Sequence, residues 1–351
     1  VLQQSCRAKI VRGKQPAIKT KLRRTVLVWS LLLCGLLLVV FISAMLGSER
    51  LPVTKSICAL SGRADCGLST EQHAILFDLR LPRILLAGAV GICLASAGAA
   101  YQALLRNPLA EPYLLGVSNG AAVGTMTAVV FFSRSDWTRP VLAFGGALTA
   151  SFVVYRLARG RAGATPERLI LAGVIVTTFL SSAIVFITTL MDATRIRSFT
   201  FWLLGDLSGT TTNLLMITFI AAAAGLIVLA VKAPSLNLLM LGERDAFDLG
   251  VEVSRVRLIV FVGASLLVGA SVASSGSVGY VGLVVPHLVR LSFGSDNRLV
   301  IVAAAIAGAA FVIVADTVAR TIIAPRELPV GAITALIGAP LFIYLLRRGS
   351  T

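Results

Sequence analysis

Asp316 and Arg320 stand four residues apart in VIVADTVAR, inside an apolar run. On a helix that spacing brings a carboxylate and a guanidinium together, so the two can neutralise each other where a lone charge would be costly. Proton coupling would need further acids at the same depth, but Glu111 and Glu167 fall at the edges of apolar runs. The two histidines are His73, in TEQHAILF, and His287, in VPHLVR. An imidazole can ligate iron, yet a lone His287 beside a helix-starting proline suits packing or a hydrogen bond better. His73 is an exposed loop residue that could contact an external partner. The cysteines Cys6, Cys34, Cys58, Cys66 and Cys93 have no metal-cluster spacing. Cys58 and Cys66 share one expected external loop and can be either a bridge or two thiols. No G-x-x-x-x-G-K-[ST] loop occurs, so ATP chemistry has no phosphate cradle here. Nor do an acid, a base and a nucleophile converge at one depth, which argues against a membrane enzyme.

The elements that carry these residues are apolar. Of 351 residues 57% are hydrophobic and 14% charged, against about a quarter charged in soluble domains. The chain therefore reads as an all-α, polytopic membrane protein, since lipid leaves backbone groups to pair within helices. A net charge of +16 could suit nucleic acid, but the basic residues cluster between apolar blocks and at the termini, as beside a membrane surface.

About ten crossings are expected, at 25–46, 84–105, 114–132, 140–158, 169–190, 212–231, 257–275, 280–293, 299–319 and 328–346. Residues 1–24 form a basic cytoplasmic segment and 25–351 a single membrane domain. The basic start resembles a signal peptide's, but the apolar run after it exceeds a signal core and reads as a retained first helix. An even count puts both termini on one side, and the larger share of Lys and Arg makes that side cytoplasmic. Residues 280–293 are the weak span: fourteen residues rising about 1.5 Å each reach only about 21 Å, which fits a partial crossing buried against protein. Glycine and alanine abound in the spans, as in AGAVGICLASAGAAY (87–101), and allow close helix packing.

The second and third spans are separated by RNPLAEPYLLGVSNGAAVG (106–124). Pro108 and Pro112 restrain this turn and Asn107 can bond nearby backbone. It can simply end a helix, or it can form an inner gate in which Leu109 excludes water and Asn107 fixes the turn. A second polar connection, 232–256, contains LGERDAFDLG (241–250), where Gly242 and Gly250 permit tight turns and Glu243, Arg244, Asp245 and Asp248 offer a polar docking face. A plain solvated loop is the other reading.

LRLPRILLAGAVGICLASAGAAYQALLRNPLAEPYLLGVSNGAAVG (79–124) resembles the FecCD family of ABC-transporter permeases, importers of cobalamin, ferric siderophores and haem. The likeness continues in family order through ILAGV (170–174), FWLLGDLSG (201–209), LNLLMLGERDAFDLGVEV (236–253), GSVGYVGLVVPHLVRLSFGSDNR (276–298) and ELPVGAITALIGAPLFIYLL (327–346). The resemblance implies a type II ABC importer permease fold in the bacterial inner membrane. It implies a second copy of the chain, two cytoplasmic ATPase subunits that bind ATP and Mg, and a periplasmic solute-binding protein, with no permanently bound cofactor and no metal in the permease. It places a cytoplasmic gate at Asn107 and Leu109 and another gate-forming connection at Thr165, which can equally be the cap of the helix beginning PERL. It makes Leu241–Gly250, including Leu241, Gly242, Glu243, Arg244, Asp245, Asp248 and Gly250, the ATPase-coupling element. On the opposite face it sets Arg80, Arg83 and Arg320 against acids of the binding protein; lipid-headgroup anchoring is their alternative, and Arg195 and Arg197 are weaker versions. The function implied is ATP-driven import of an iron chelate, haem first. Ferric siderophore or cobalamin by the same mechanism is the variant, and a proton-driven secondary transporter is the alternative of another class.

Overall fold

The computed structural model describes residues 2–47, 49, 51–61, 66–132, 137–160 and 163–349, with side chains from 23 onward except at 346, 348 and 349. Helices dominate for the reason that composition gave: α1 (Leu2–Met45), α2 (Val53–Leu60), α3 (Thr70–Ala74), α4 (Leu81–Leu104), α5 (Val117–Phe131), α6 (Thr138–Ala158) and α7 (Pro166–Thr188) come first. They are followed by α8 (Ala193–Leu203), α9 (Thr212–Leu241), α10 (Glu243–Asp248), α11 (Val253–Ser275), α12 (Val281–Phe293), α13 (Asn297–Thr321) and α14 (Val330–Gly349). A π-helical turn, Ile75–Arg80, leads into α4, and the sole strand pairing among the described residues joins Arg159 to Ala164 and Gly160 to Gly163. Among the described residues seven helices are long and apolar enough to cross a membrane, and the shorter apolar helices α5, α12 and α14 lie at the remaining expected crossings.

Helix α4 runs through the middle, almost wholly buried from Ile84 to Leu104. It packs on α13, α9, α11 and α12. Small residues make this possible: a Cβ on Gly91 would overlap the Gly308 carbonyl of α13, and one on Gly98 would overlap the Gly282 carbonyl of α12. In lipid, where apolar burial alone gains little, such backbone contact supplies the dispersion that holds helices together. Tyr101 adds a polar tie, its hydroxyl 2.7 Å from Ser265 Oγ of α11.

The weak span contains a short helix, α12, of 13 residues. α11 stops at Ser275 and α12 starts after Tyr280, whose φ is 66°. The irregular backbone between them is paired from both sides, as its burial in protein demands. Asp206 N–H donates to the Ser275 carbonyl at 2.8 Å. The Tyr113 hydroxyl donates to Val278 O at 3.0 Å and accepts from Val278 N–H at 2.9 Å. Glu111 accepts Tyr280 N–H at 3.0 Å.

One boundary differs from expectation. The connection expected over 232–256 is mostly helical: α9 continues to Leu241 despite Pro234, and α11 begins at Val253. Pro234 removes one intrahelical hydrogen bond and crowds the preceding turn, but the chain beyond it is held, Asn237 donating to Asp296 Oδ1 at 2.7 Å and accepting from Asn297 N–H at 2.8 Å. The backbone of the basic start is continuous with the first span in α1.

Candidate functional site

Two polar clusters lie at opposite ends of the bundle. The first begins where α4 stops. Asn107 N–H bonds Gln102 O at 3.1 Å and Arg106 N–H bonds Ala103 O at 3.3 Å, the paired closure of a helix end that normally uses glycine in the left-handed position. Here Arg106 takes it, at φ 49°, for which a side chain costs about 1–2 kcal/mol. Asn107 Oδ1 then accepts Leu109 N–H at 2.9 Å, so the turn is fixed by its own asparagine and Leu109 projects half exposed.

Across from this turn, α10 is a short helix between Gly242 (φ 152°) and Gly250 (φ 84°). Arg244, Asp245 and Asp248 are exposed, and so are Leu241, Phe247 and Leu249. Phe247 and Leu249 are exposed apolar members that the polar reading of 241–250 overlooked; their signal was large apolar residues in an otherwise charged turn. Glu243 points the other way. Its Oε1 lies 2.5 Å from Arg257 Nη2 of α11 and 3.4 Å from Arg106 Nη2. Arg257 is buried, and its Nη1 donates to the Ala164 carbonyl. The next residue, Thr165, caps α7 by accepting Arg168 N–H at 3.5 Å. The residues expected as gates and coupler thus converge on one end, joined by Arg106 and Arg257, which sequence reasoning missed because their partners are remote in the chain.

The second cluster binds α4 to α13. Arg83 meets Asp316 at 3.0 Å and Glu327 at 2.7 Å. Asp316 also pairs with Arg320 at 3.0 Å, the expected one-turn pair. Arg320 Nη2 donates to Ser43 Oγ at 3.1 Å, and Ser43 is 2.6 Å from Thr317 Oγ1. Arg80 is buried and donates to the carbonyls of Ala44, Met45 and Glu49, tying down the end of α1. Arg80 and Arg320 therefore spend their donors inside the chain, whereas Glu327, 44% exposed, is the outward member. Arg195 pairs with Asp192, and Arg197 lies over the Phe201 ring. At the same end a cleft of about 1030 Å³ opens between α5, α6, α8 and α9, with Arg139, Trp202 and Asp206 on its walls.

Cys58 and Cys66 form a disulfide, with Cα atoms 5.5 Å apart. His73 stacks on Phe77 at 4.5 Å, and His287 meets Phe342 edge-on at 6.1 Å. Burial raises the Glu111 carboxyl above the ordinary range, against the opposing effect of the Tyr280 N–H.

The chain is similar to known proteins along most of its length. The hemin transport system permease HmuU of Yersinia pestis is 38% identical over 324 residues, 90% of this chain and 96% of that one. The cobalamin import permease BtuC of Halobacterium salinarum is 40% identical over 300 residues, covering 86% and 80%. A solved transporter described as a metal-chelate type ABC transporter, in an inward-facing conformation, superposes with a TM-score of 0.79 at 31% identity, over 90% of this chain and 98% of that one. With a continuous match from residue 35 to residue 348, and with the type II importer permease fold that the helices build, the chain belongs to the FecCD transport family of ABC-transporter permease subunits.

Proposed function

We propose that this chain is the membrane half of an ATP-driven importer of an iron chelate, haem in the first place. The observation that carries the mechanism is α10 and its flanks: Phe247 within it and Leu241 and Leu249 on either side are exposed apolar residues set among acids, in a chain with no phosphate loop of its own. That surface suits a cytoplasmic ATPase, bound one to each of two permease copies. Nucleotide-driven closure of the ATPases would displace α10 and alternate access between the Asn107, Leu109 and Thr165 end, taken as cytoplasmic, and the Arg83 end, taken as external. Both termini are then cytoplasmic. Glu327 with Arg83, together with Arg80 and Arg320 behind them, forms the charged ground for a periplasmic binding protein. Haem is preferred because the haemin permease aligns over nearly all of its own length; cobalamin is the second substrate, favoured by the BtuC relative.

The test is reconstitution of the permease with its ATPase and binding protein in proteoliposomes, presenting haem, cobalamin and a ferric siderophore in turn. Haem uptake that stops without ATP is expected. Uptake that persists when the ATPase is left out sinks the mechanism, and uptake of cobalamin or siderophore alone sinks the substrate.

A further inference from the structure

Resting on that reading, the geometry points to Arg106 and Arg257, joined through Glu243, as the linkage that carries a displacement of α10 to both gate segments at once. Three features meet in it. The first is the backbone of Arg106, held at φ 49° in a helix ending whose hydrogen bonds glycine would satisfy without strain. A residue kept in a disfavoured conformation invites a search for what its side chain does there. The second is its target: Arg106 Nη2 reaches Glu243 Oε1 at 3.4 Å, on the first residue of α10. The third is the continuation. The same oxygen is held at 2.5 Å by Arg257, whose other nitrogen is bonded to the carbonyl of Ala164.

One carboxylate oxygen therefore joins the turn carrying Asn107 and Leu109 to the connection carrying Thr165. Arg257 is buried, so its end of the linkage is stiff, while Arg106 and Glu243 are about one-third to two-fifths exposed, so theirs can yield. Glu167, in the first turn of α7, stands in the field of both guanidiniums and completes the charged surroundings. When α10 moves, Glu243 must drag both segments or release one of them. Either event changes the gates, and without Arg106 the turn at Asn107 no longer follows. Arg106 and Glu243 are thus positioning residues for transport rather than contacts of the solute.

The assembled complex in proteoliposomes tests this through the amount of solute moved per ATP hydrolysed, alongside thermal unfolding. Arg106→Gly is the decisive variant, because it keeps the helix ending and relieves its strain while leaving the Glu243 and Arg257 pair intact. Expected are unchanged or higher thermal stability and a fall of about fivefold or more in solute per ATP, the lower end of ordinary coupling energies. Arg106→Lys should recover most of the loss, and Arg106→Gly with Glu243→Gln should be no worse than the weaker single variant. A wild-type ratio in Arg106→Gly, a lysine variant no better than glycine, or losses that multiply in the double variant would each overturn the linkage. If the unaltered complex moves no solute with ATP, the failure belongs to the proposed function instead.

Discussion

Arg83 and Asp316 meet at 3.0 Å although 233 residues separate them, and this contact pins the start of α4 to the end of α13. Asp316 serves Arg320 as well, so one nearly inaccessible carboxylate balances two guanidiniums.

Removing that carboxylate should therefore be severe. Asp316→Ala takes the ion-pair partner from buried Arg320 and leaves Arg83 only the half-exposed Glu327, and a loss of about 3–5 kcal/mol is expected. Thermal unfolding in detergent measures it; a shift indistinguishable from wild type would show the cluster to be dispensable. Glu327→Gln, at an exposed partner, should cost less than about 1 kcal/mol.

Close helix contact in the centre should tolerate no side chain at Gly98. Gly98→Ala drives a methyl into the Gly282 carbonyl, which is backbone and cannot swing away. A cost of about 1–3 kcal/mol is expected, against little effect from Gly145→Ala, where a Cβ meets open space. Equal unfolding temperatures for the two variants would refute the contact.

The pH response of Glu111 follows from burial. Its carboxyl pKa lies above the ordinary value in the folded chain, so between the ordinary value and the raised one the folded state holds more protons than the unfolded. Its contribution to stability is then full at pH below the ordinary carboxylate value and is lost as pH rises through that window. Glu111→Gln keeps an acceptor for Tyr280 N–H and removes the titration. The difference in unfolding temperature between variant and wild type should move in the variant's favour as pH rises from the carboxylate range toward neutrality; a difference that stays flat or reverses contradicts it.

Orientation can be read from the disulfide. After mild reduction, a membrane-impermeant maleimide should label Cys58 and Cys66 in right-side-out vesicles, while buried Cys93 stays unreacted. Labelling confined to inverted vesicles would exchange the two faces assigned above.

The docking ridge gives a final expectation. Phe247→Asp replaces an exposed aromatic at the proposed ATPase surface with a charge, and should weaken ATPase association about tenfold or more with little change in the permease's own stability, because Phe247 is 69% exposed. Pull-down of the ATPase at constant permease folding checks this.

Some of the site was legible before any coordinates. The Asp316 and Arg320 pair lies one helical turn apart, and the Asn107 turn is closed within three residues, so local geometry sufficed for both. The continuation of α9 past the expected span was not legible, because whether a helix runs on through Pro234 depends on what holds the chain beyond it, and Asn297 was not visible as that holder. The helix α8 also went unread: its cap, Asp192 accepting Arg195 N–H at 2.9 Å, is a local signal, but its apolar content was too broken by polar residues to stand out as a crossing.

By itself the sequence determined that this is a bundle of membrane helices, and roughly where each begins, because lipid forces every long apolar run to pair its own backbone. Only the tertiary structure decided which arginine faces which carboxylate. Arg83 reaches Asp316 because Gly91 and Gly308 let α4 and α13 touch, and Glu243 gains both Arg106 and Arg257 because the packed helices end at one level. Those pairings depend on distances between remote segments, which are set by packing and are written in no local stretch of the chain.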